Sequence, residues 1–212
     1  DAQRALDDIL VLHLEHGLDF FIAVSGAYQV SSFASTLDYL VCRPTPVRAA
    51  MPVSNSGDRL LVPKELWLLI DRLQRDGMTD ATLFQESGDA AQVALIREWL
   101  DTRDDFAAVS ADVSVHSIAE ALVRFLGSLA EPVVPFEHYY EALDAADSPT
   151  RCRTVLQYVP VVHFRTFHYV AAFLKARVLA RRRAGGDAAA LREAARLAAL
   201  FGPVLIRPHV RF

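Results

Sequence analysis

Apolar positions along the chain change their period near residue 63, and the two periods predict two kinds of structure. Over residues 9–42 short apolar runs alternate with turn residues: ILVLHLE (9–15), His-Gly-Leu-Asp (16–19), then FFIAVSGAY (20–28). Runs of that length, rich in Phe, Ile, Val and Tyr, predict β-strands, and LDYLVC (37–42) is expected to be a third. An immunoglobulin-like sandwich takes about 100 residues. The strands are therefore read as the end of a β-sandwich that begins upstream, since FFIAVSGAY alone would leave an apolar face and an edge uncovered.

Pro44, Pro46, Pro52 and Pro63, with Ser-Asn-Ser-Gly at 54–57, rule out a continuous helix between the two regions. The expected division is a β part at 1–47, a linker at 48–62 and a helical domain at 63–212. Beyond Pro63 the pattern becomes helical. Leu66, Leu69, Ile70 and Leu73 share a face and stop at Gly77. Asp89 is placed to cap a second helix through Trp99, with Val93, Ile96 and Leu100 inward. Val115, Ile118, Ala119, Leu122, Leu126 and Leu129 keep helical spacing until Pro132. Further helices are expected over Phe136–Ala146, Pro149–Tyr158 (Ser148 as cap), Val161–Arg183 and Asp187–Phe201. The fold class that results is mainly α, preceded by a few β-strands.

Composition narrows the function classes. A net charge of −4 gives no nucleic-acid footprint. No run approaches the length of a membrane-spanning helix. The N-terminus DAQRALDDIL has no basic n-region and no initiator methionine, so no signal peptide is expected and the chain is read as a piece of a longer protein. Two cysteines, Cys42 and Cys152, lie far apart without metal-ligand spacing, which predicts a reduced, cytoplasmic setting.

Candidate chemistry is sparse. Seven histidines are present, but none shows HxxxH or HExxH spacing, and His163 and His168 splay apart on a helix. No metal or other cofactor is expected. Ser25, Ser87 and Ser117 lack a nucleophile-elbow context, and Gly185-Gly186 lacks the strand of a phosphate loop. Lys175, Arg177 and Arg181–Arg183 are expected to form a solvated basic helix end. Trp67 lies off the inward face of KELWLLIDRLQ. It either covers neighbouring chain or presents an exposed anchor for a partner peptide.

Three segments of the helical half resemble the boxes of Rho GTPase-activating (RhoGAP) domains. They are ATLFQESG (81–88), SVHSIAEALVRFLGSLAEPVVP (114–135) and LAALFGPVLIRP (197–208). LHLEHGLDFFIAVSGAY, VPKELWLLIDRL, LFQESG and IREWLDT are further similar to the C-terminal region of the type II inositol polyphosphate 5-phosphatases, the group of the Lowe oculocerebrorenal syndrome phosphatase. There an immunoglobulin-like ASH domain leads into a RhoGAP-like domain. In the first box Gln85 stands where an active GAP has its arginine. The box-two lysine and arginine fall on Val123 and Gly127, and the box-three asparagine falls on Val204. An arginine placed at the transferring phosphoryl group is worth ~10³–10⁵ in rate, and a neutral glutamine cannot supply its charge. The resemblance thus implies a pseudo-GAP, not an enzyme in its own right, with Gln85, Glu86 and Arg124 on a GTPase-facing surface. The rival reading is an active GAP using Arg97 or Arg124, and a third is a helical buttress for the ASH domain.

The same resemblance implies partners: Rho-family GTPases such as Rac and Cdc42, Rab GTPases through the ASH part, and adaptor peptides with a phenylalanine-and-histidine motif. Trp67 matches the peptide-binding aromatic of the family, with Phe33, and less directly Phe21, as its expected companion from the ASH tail. Peripheral association with endosomal and Golgi membranes, through those partners, is the implied location.

Overall fold

The computed structural model describes residues 5–48 and 60–209. They fall into two units, 1–31 and 32–212. The first is an antiparallel hairpin of β1 (Ala5–Leu12) and β2 (Phe20–Ala27), in a register that sets Leu12 opposite Phe20 and Leu6 opposite Gly26. His16 makes its turn possible with a φ of 60°. Apolar side chains on both strands, Ile9, Leu10, Phe21 and Val24 among them, are more than half exposed. A two-stranded hairpin is marginal alone in water.

The second unit is helical: α1 (Leu37–Val41), α2 (Lys64–Asp76), α3 (Ala90–Thr102), α4 (Phe106–Val109), α5 (Val115–Ser128), α6 (Tyr139–Asp144), α7 (Pro149–Tyr158) and α8 (Val161–Leu205). A 3₁₀ turn (Phe136–His138) leads into α6. Helix α5 is the centre of the unit and packs on α2, α3 and α8. Its Ile118, Leu122, Phe125 and Leu126 are fully buried, as are Leu66, Leu69, Ile70 and Leu73 of α2. Each such side chain contributes about 1.5–3 kcal/mol by leaving water, so these two helices anchor the fold. Their caps follow the expected chemistry: Asp89 accepts from the Gln92 N–H, Ser114 from His116 and Ser148 from Arg151.

Two expectations are corrected. LDYLVC is α1, not a strand. Thr36 caps it by accepting from the Tyr39 N–H, and Leu37, Leu40 and Val41 bury one helical face. The boundary between units lies at residues 31–32, ahead of the proline-rich segment, so 32–47 belong to the helical unit and not to the β part. Asp101 holds them there. Its fully buried carboxylate accepts from the backbone and hydroxyl of Ser32 at 2.8 and 2.6 Å and pairs with Arg48 at 3.0 Å. The expected linker at 48–62 lies largely outside the described residues.

Helix α8 carries two non-helical residues, Gly185 and Gly186, the latter with φ 72°. In a straight helix, residues 177 and 193 would stand about 24 Å apart. Here Arg177 Nε is 2.8 Å from Glu193 Oε1. The glycine pair therefore reverses the chain, and α8 is a hairpin of two arms. Arg177, expected to be solvated, is fully buried and donates also to the carbonyls of Gly77, Met78 and Asp80.

Candidate functional site

The segment 80–88 is a tight loop held from three sides. Asp80 accepts from the Thr82 N–H and hydroxyl at 2.7 and 2.9 Å, and the backbone bond holds its carboxyl below the usual carboxylate range. Leu83 is fully buried, and its carbonyl accepts from Arg196 at 2.9 Å. Phe84 adopts a φ of 64°, an uncommon state for a bulky residue. Edge-to-face contacts with Phe173 and Phe201 keep its ring inward. Gly88 ends the loop against α5. A Cβ there would sit 2.6 Å from Ser117 Cα, and the Gly88 N–H donates to Glu120 at 2.7 Å. The Phe-x-x-Ser-Gly pattern is thus the chemistry of docking this loop on α5.

Gln85 lies on the exposed crest of the loop, and its amide donates back to the Ala81 carbonyl at 2.8 Å. Beside it is a cleft of about 190 Å³ whose walls include Gln85, Glu86, Ala119, Glu120, Val123 and Leu200. Gln85, Glu86 and Val123 are therefore brought together. Gly127 is one turn further along α5 with open space above it, and Val204 packs against the core. Arg124 is exposed and tied to Glu120 at 2.5 Å, while Arg97 lies over the Phe33 ring. The charges bordering the cleft itself are the carboxylates of Glu86 and Glu120. His116 bridges towards Asp80 at 3.3 Å and Glu86 at 3.6 Å.

Trp67 occupies a different surface. It is 48% exposed and forms a wall of a groove of about 820 Å³, facing Leu60, Leu61, Phe164, His168 and Tyr169. The groove is mostly apolar, with Lys64 and Arg165 also lining it. Phe164 and His168, one turn apart on α8, stack edge to face at 4.9 Å. That spacing of an aromatic and a histidine was the available sequence signal for the second wall. Phe33, the expected companion of Trp67, is not in this groove. It belongs to the helical core, 9% exposed, with its ring at 5.4 Å from Phe125. Phe21 lies on β2 in the hairpin unit and is exposed.

Among the described residues no cluster of His, Cys, Asp and Glu could hold a metal ion, and no helix is long and apolar enough to cross a membrane. Cys42 and Cys152 are both free thiols.

Comparison with known proteins matches these parts to two families. The RhoGAP domain model covers residues 63–210, and that of the ASH domain of the OCRL-like inositol polyphosphate 5-phosphatases covers residues 1–28. The mouse type II inositol 1,4,5-trisphosphate 5-phosphatase is 34% identical over 192 residues, which is 82% of this chain and 19% of that protein. The Rho GTPase-activating protein 68F of Drosophila melanogaster is 31% identical over 129 residues, 58% of this chain and 27% of its own. The chain thus spans about a fifth to a quarter of the length of these curated relatives. The crystal structure of human Rho GTPase activating protein 15 superposes with a TM-score of 0.62 at 17% identity, over 83% of this chain and 77% of that one. The chain belongs to the RhoGAP domain family, and its helical unit follows a segment of the ASH type found in OCRL-like inositol polyphosphate 5-phosphatases.

Proposed function

We propose that this chain is a non-catalytic interaction module, a pseudo-GAP that locates an inositol polyphosphate 5-phosphatase by binding GTPases and adaptor peptides. The observation that carries the binding half is the groove at Trp67. Its apolar walls with a few polar groups are what helix-in-groove recognition uses. Its occupant is an adaptor peptide presenting phenylalanine and histidine side chains. Arg165 favours acidic residues in the flanks of such a peptide, whereas Lys64 is already paired with Asp104 at 2.6 Å.

The loss of catalysis is supported by the cleft at Gln85. Phosphoryl transfer needs positive charge at the γ-phosphate. Here the crest residue is neutral and folded onto its own loop, and on the Val123 side of the loop the bordering charges are the carboxylates of Glu86 and Glu120. Both arginines of the rival reading are engaged, Arg124 by Glu120 and Arg97 by the Phe33 ring. The retained scaffold suits binding of Rac- or Cdc42-type GTPases without acceleration. Rab binding belongs to the ASH part, and recruitment to endosomal or Golgi membranes follows from these partners.

The experiment has two arms on the intact chain. A fluorescent phenylalanine-and-histidine peptide should bind wild type and lose about 2 kcal/mol or more with Trp67→Ala, as buried aromatic anchors do. Equal affinity for both proteins removes the groove assignment. In single-turnover GTP hydrolysis with Rac and Cdc42, the rate should stay within about tenfold of the intrinsic rate. Acceleration of about 10³ or more would show an active GAP.

A further inference from the structure

On the other flank of Gln85 the glycine-reversed helix α8 builds a second cavity, of about 260 Å³. Its lining is Gln85, Arg181, Ala189, Arg192, Glu193 and Arg196. Arg181 stands on the first arm of α8, Arg192 and Arg196 on the second, and only the reversal at Gly185-Gly186 makes them neighbours. Glu193, only 5% exposed, is shared: one oxygen takes Arg177 at 2.8 Å and the other Arg196 at 2.7 Å. Three guanidiniums and one carboxylate thus line the cavity, a local net charge of +2 in a chain whose total is −4.

The arginines differ in what they already do. Arg177 is spent on Glu193 and three carbonyls. Arg196 gives one nitrogen to Leu83 and Glu193, but its Nη1 is buried and has no hydrogen-bond partner among the described residues. No ion pair or hydrogen bond is formed by the side chains of Arg181 or Arg192 among the described residues. Neighbouring Arg182, by contrast, is paired with Asp187. Keeping uncompensated guanidiniums together costs self-repulsion, which an anion would relieve. A buried donor without an acceptor adds its own penalty.

We propose that this cavity binds a phosphate monoester. The charge of +2 favours a doubly charged oxyanion over a single carboxylate, and planar guanidinium forks match phosphate oxygens in pairs. The space equals that of roughly eight or nine water molecules, enough for one phosphate group with part of its hydration shell and too little for a nucleic-acid strand. The Gln85 amide, at the rim of both cavities, sets the bound anion beside the GTPase-facing loop. The site shares no residue with the Trp67 groove, so its failure in the test below would leave the peptide assignment standing.

The test uses glycerol 3-phosphate as a soluble monoester and phosphatidylcholine vesicles containing phosphatidic acid as the lipid form. Titration calorimetry should give saturable binding of glycerol 3-phosphate, weakened about tenfold or more in Arg181→Gln/Arg192→Gln. Arg182→Gln/Arg183→Gln removes the same charge from the same helix end outside the cavity and should change affinity by less than about twofold. Circular dichroism and the melting temperature of the first double variant should match wild type, since neither residue holds an interior contact. Vesicles retained by wild type and released by glycerol 3-phosphate assign the ligand to lipid. Vesicles not retained, with the soluble monoester still bound, assign it to a free phosphate compound. Equal weakening in both double variants, or no saturable binding of either probe, overturns the proposal.

Discussion

Glu65 stands in the first turn of α2 and is 1% exposed, with its Oε2 buried and without a hydrogen-bond partner among the described residues. Burial pushes its carboxyl up to about 7, and the charge of Asp101 adds to the effect while Lys64 opposes it. The ordinary value, which the unfolded chain keeps, is 4.5. Between those two values the native state holds a proton that the unfolded state has released, so stability falls as pH rises. The loss begins near pH 4.5, grows by about 1.4 kcal/mol per pH unit, and is complete above about 7. The full penalty is about 3 kcal/mol, a large share of a stability of about 5–15 kcal/mol. Glu65→Gln keeps the shape and removes the charge. Urea unfolding of wild type and variant across pH should show equal stability near pH 4.5. The variant should gain an advantage that rises to about 3 kcal/mol and then stays flat, with an unchanged slope in urea. A difference that is constant with pH, or a wild type more stable than the variant near pH 8, would refute the reasoning.

Arg177→Met should destabilise the helical unit by about 3–5 kcal/mol, because three carbonyls lose a donor and Glu193 keeps only Arg196. Urea unfolding checks it, and a loss below about 1 kcal/mol would mean the pair is replaceable. Gly88→Ala should cost about 1–3 kcal/mol by pressing a methyl group on the α5 backbone at Ser117. Gly127→Ala, one helix turn beyond Val123 and with open space above it, should be stabilising by about 1 kcal/mol in the same melts. Equal effects at the two glycines would show that close approach at Gly88 is not what selects glycine there.

Much of this protein is written locally. Helices α3 and α5 follow from apolar spacing and from side-chain caps one residue outside them, α2 from its apolar face and α7 from its Ser148 cap, because helical hydrogen bonds close within four residues and each end needs its own partner. The loop motif is legible because two of its positions demand a residue type: Phe84 supplies the ring that packs on Phe173 and Phe201, and Gly88 the missing side chain against α5. The break at Gly185-Gly186 is also visible in the chain, though not its sense.

Tertiary structure decided what depends on distant neighbours. LDYLVC is a short apolar run that suits either a strand or a helix. It became α1 because the segment around it docks on Asp101, 69 residues from Ser32. The same docking put Phe33 in the helical core and left Trp67 to pair with Phe164 and His168 across a groove. Glu65 and Arg177 look like surface charges by spacing alone, and only packing buried them. The arginines of the second cavity are scattered over sixteen positions of sequence, and a φ of 72° at Gly186 is what gathers them. Sequence thus determined the elements and the loop chemistry, whose forces act over a few residues. Burial, and with it the placement of these charges and of the two grooves, came from the folding of those elements against one another.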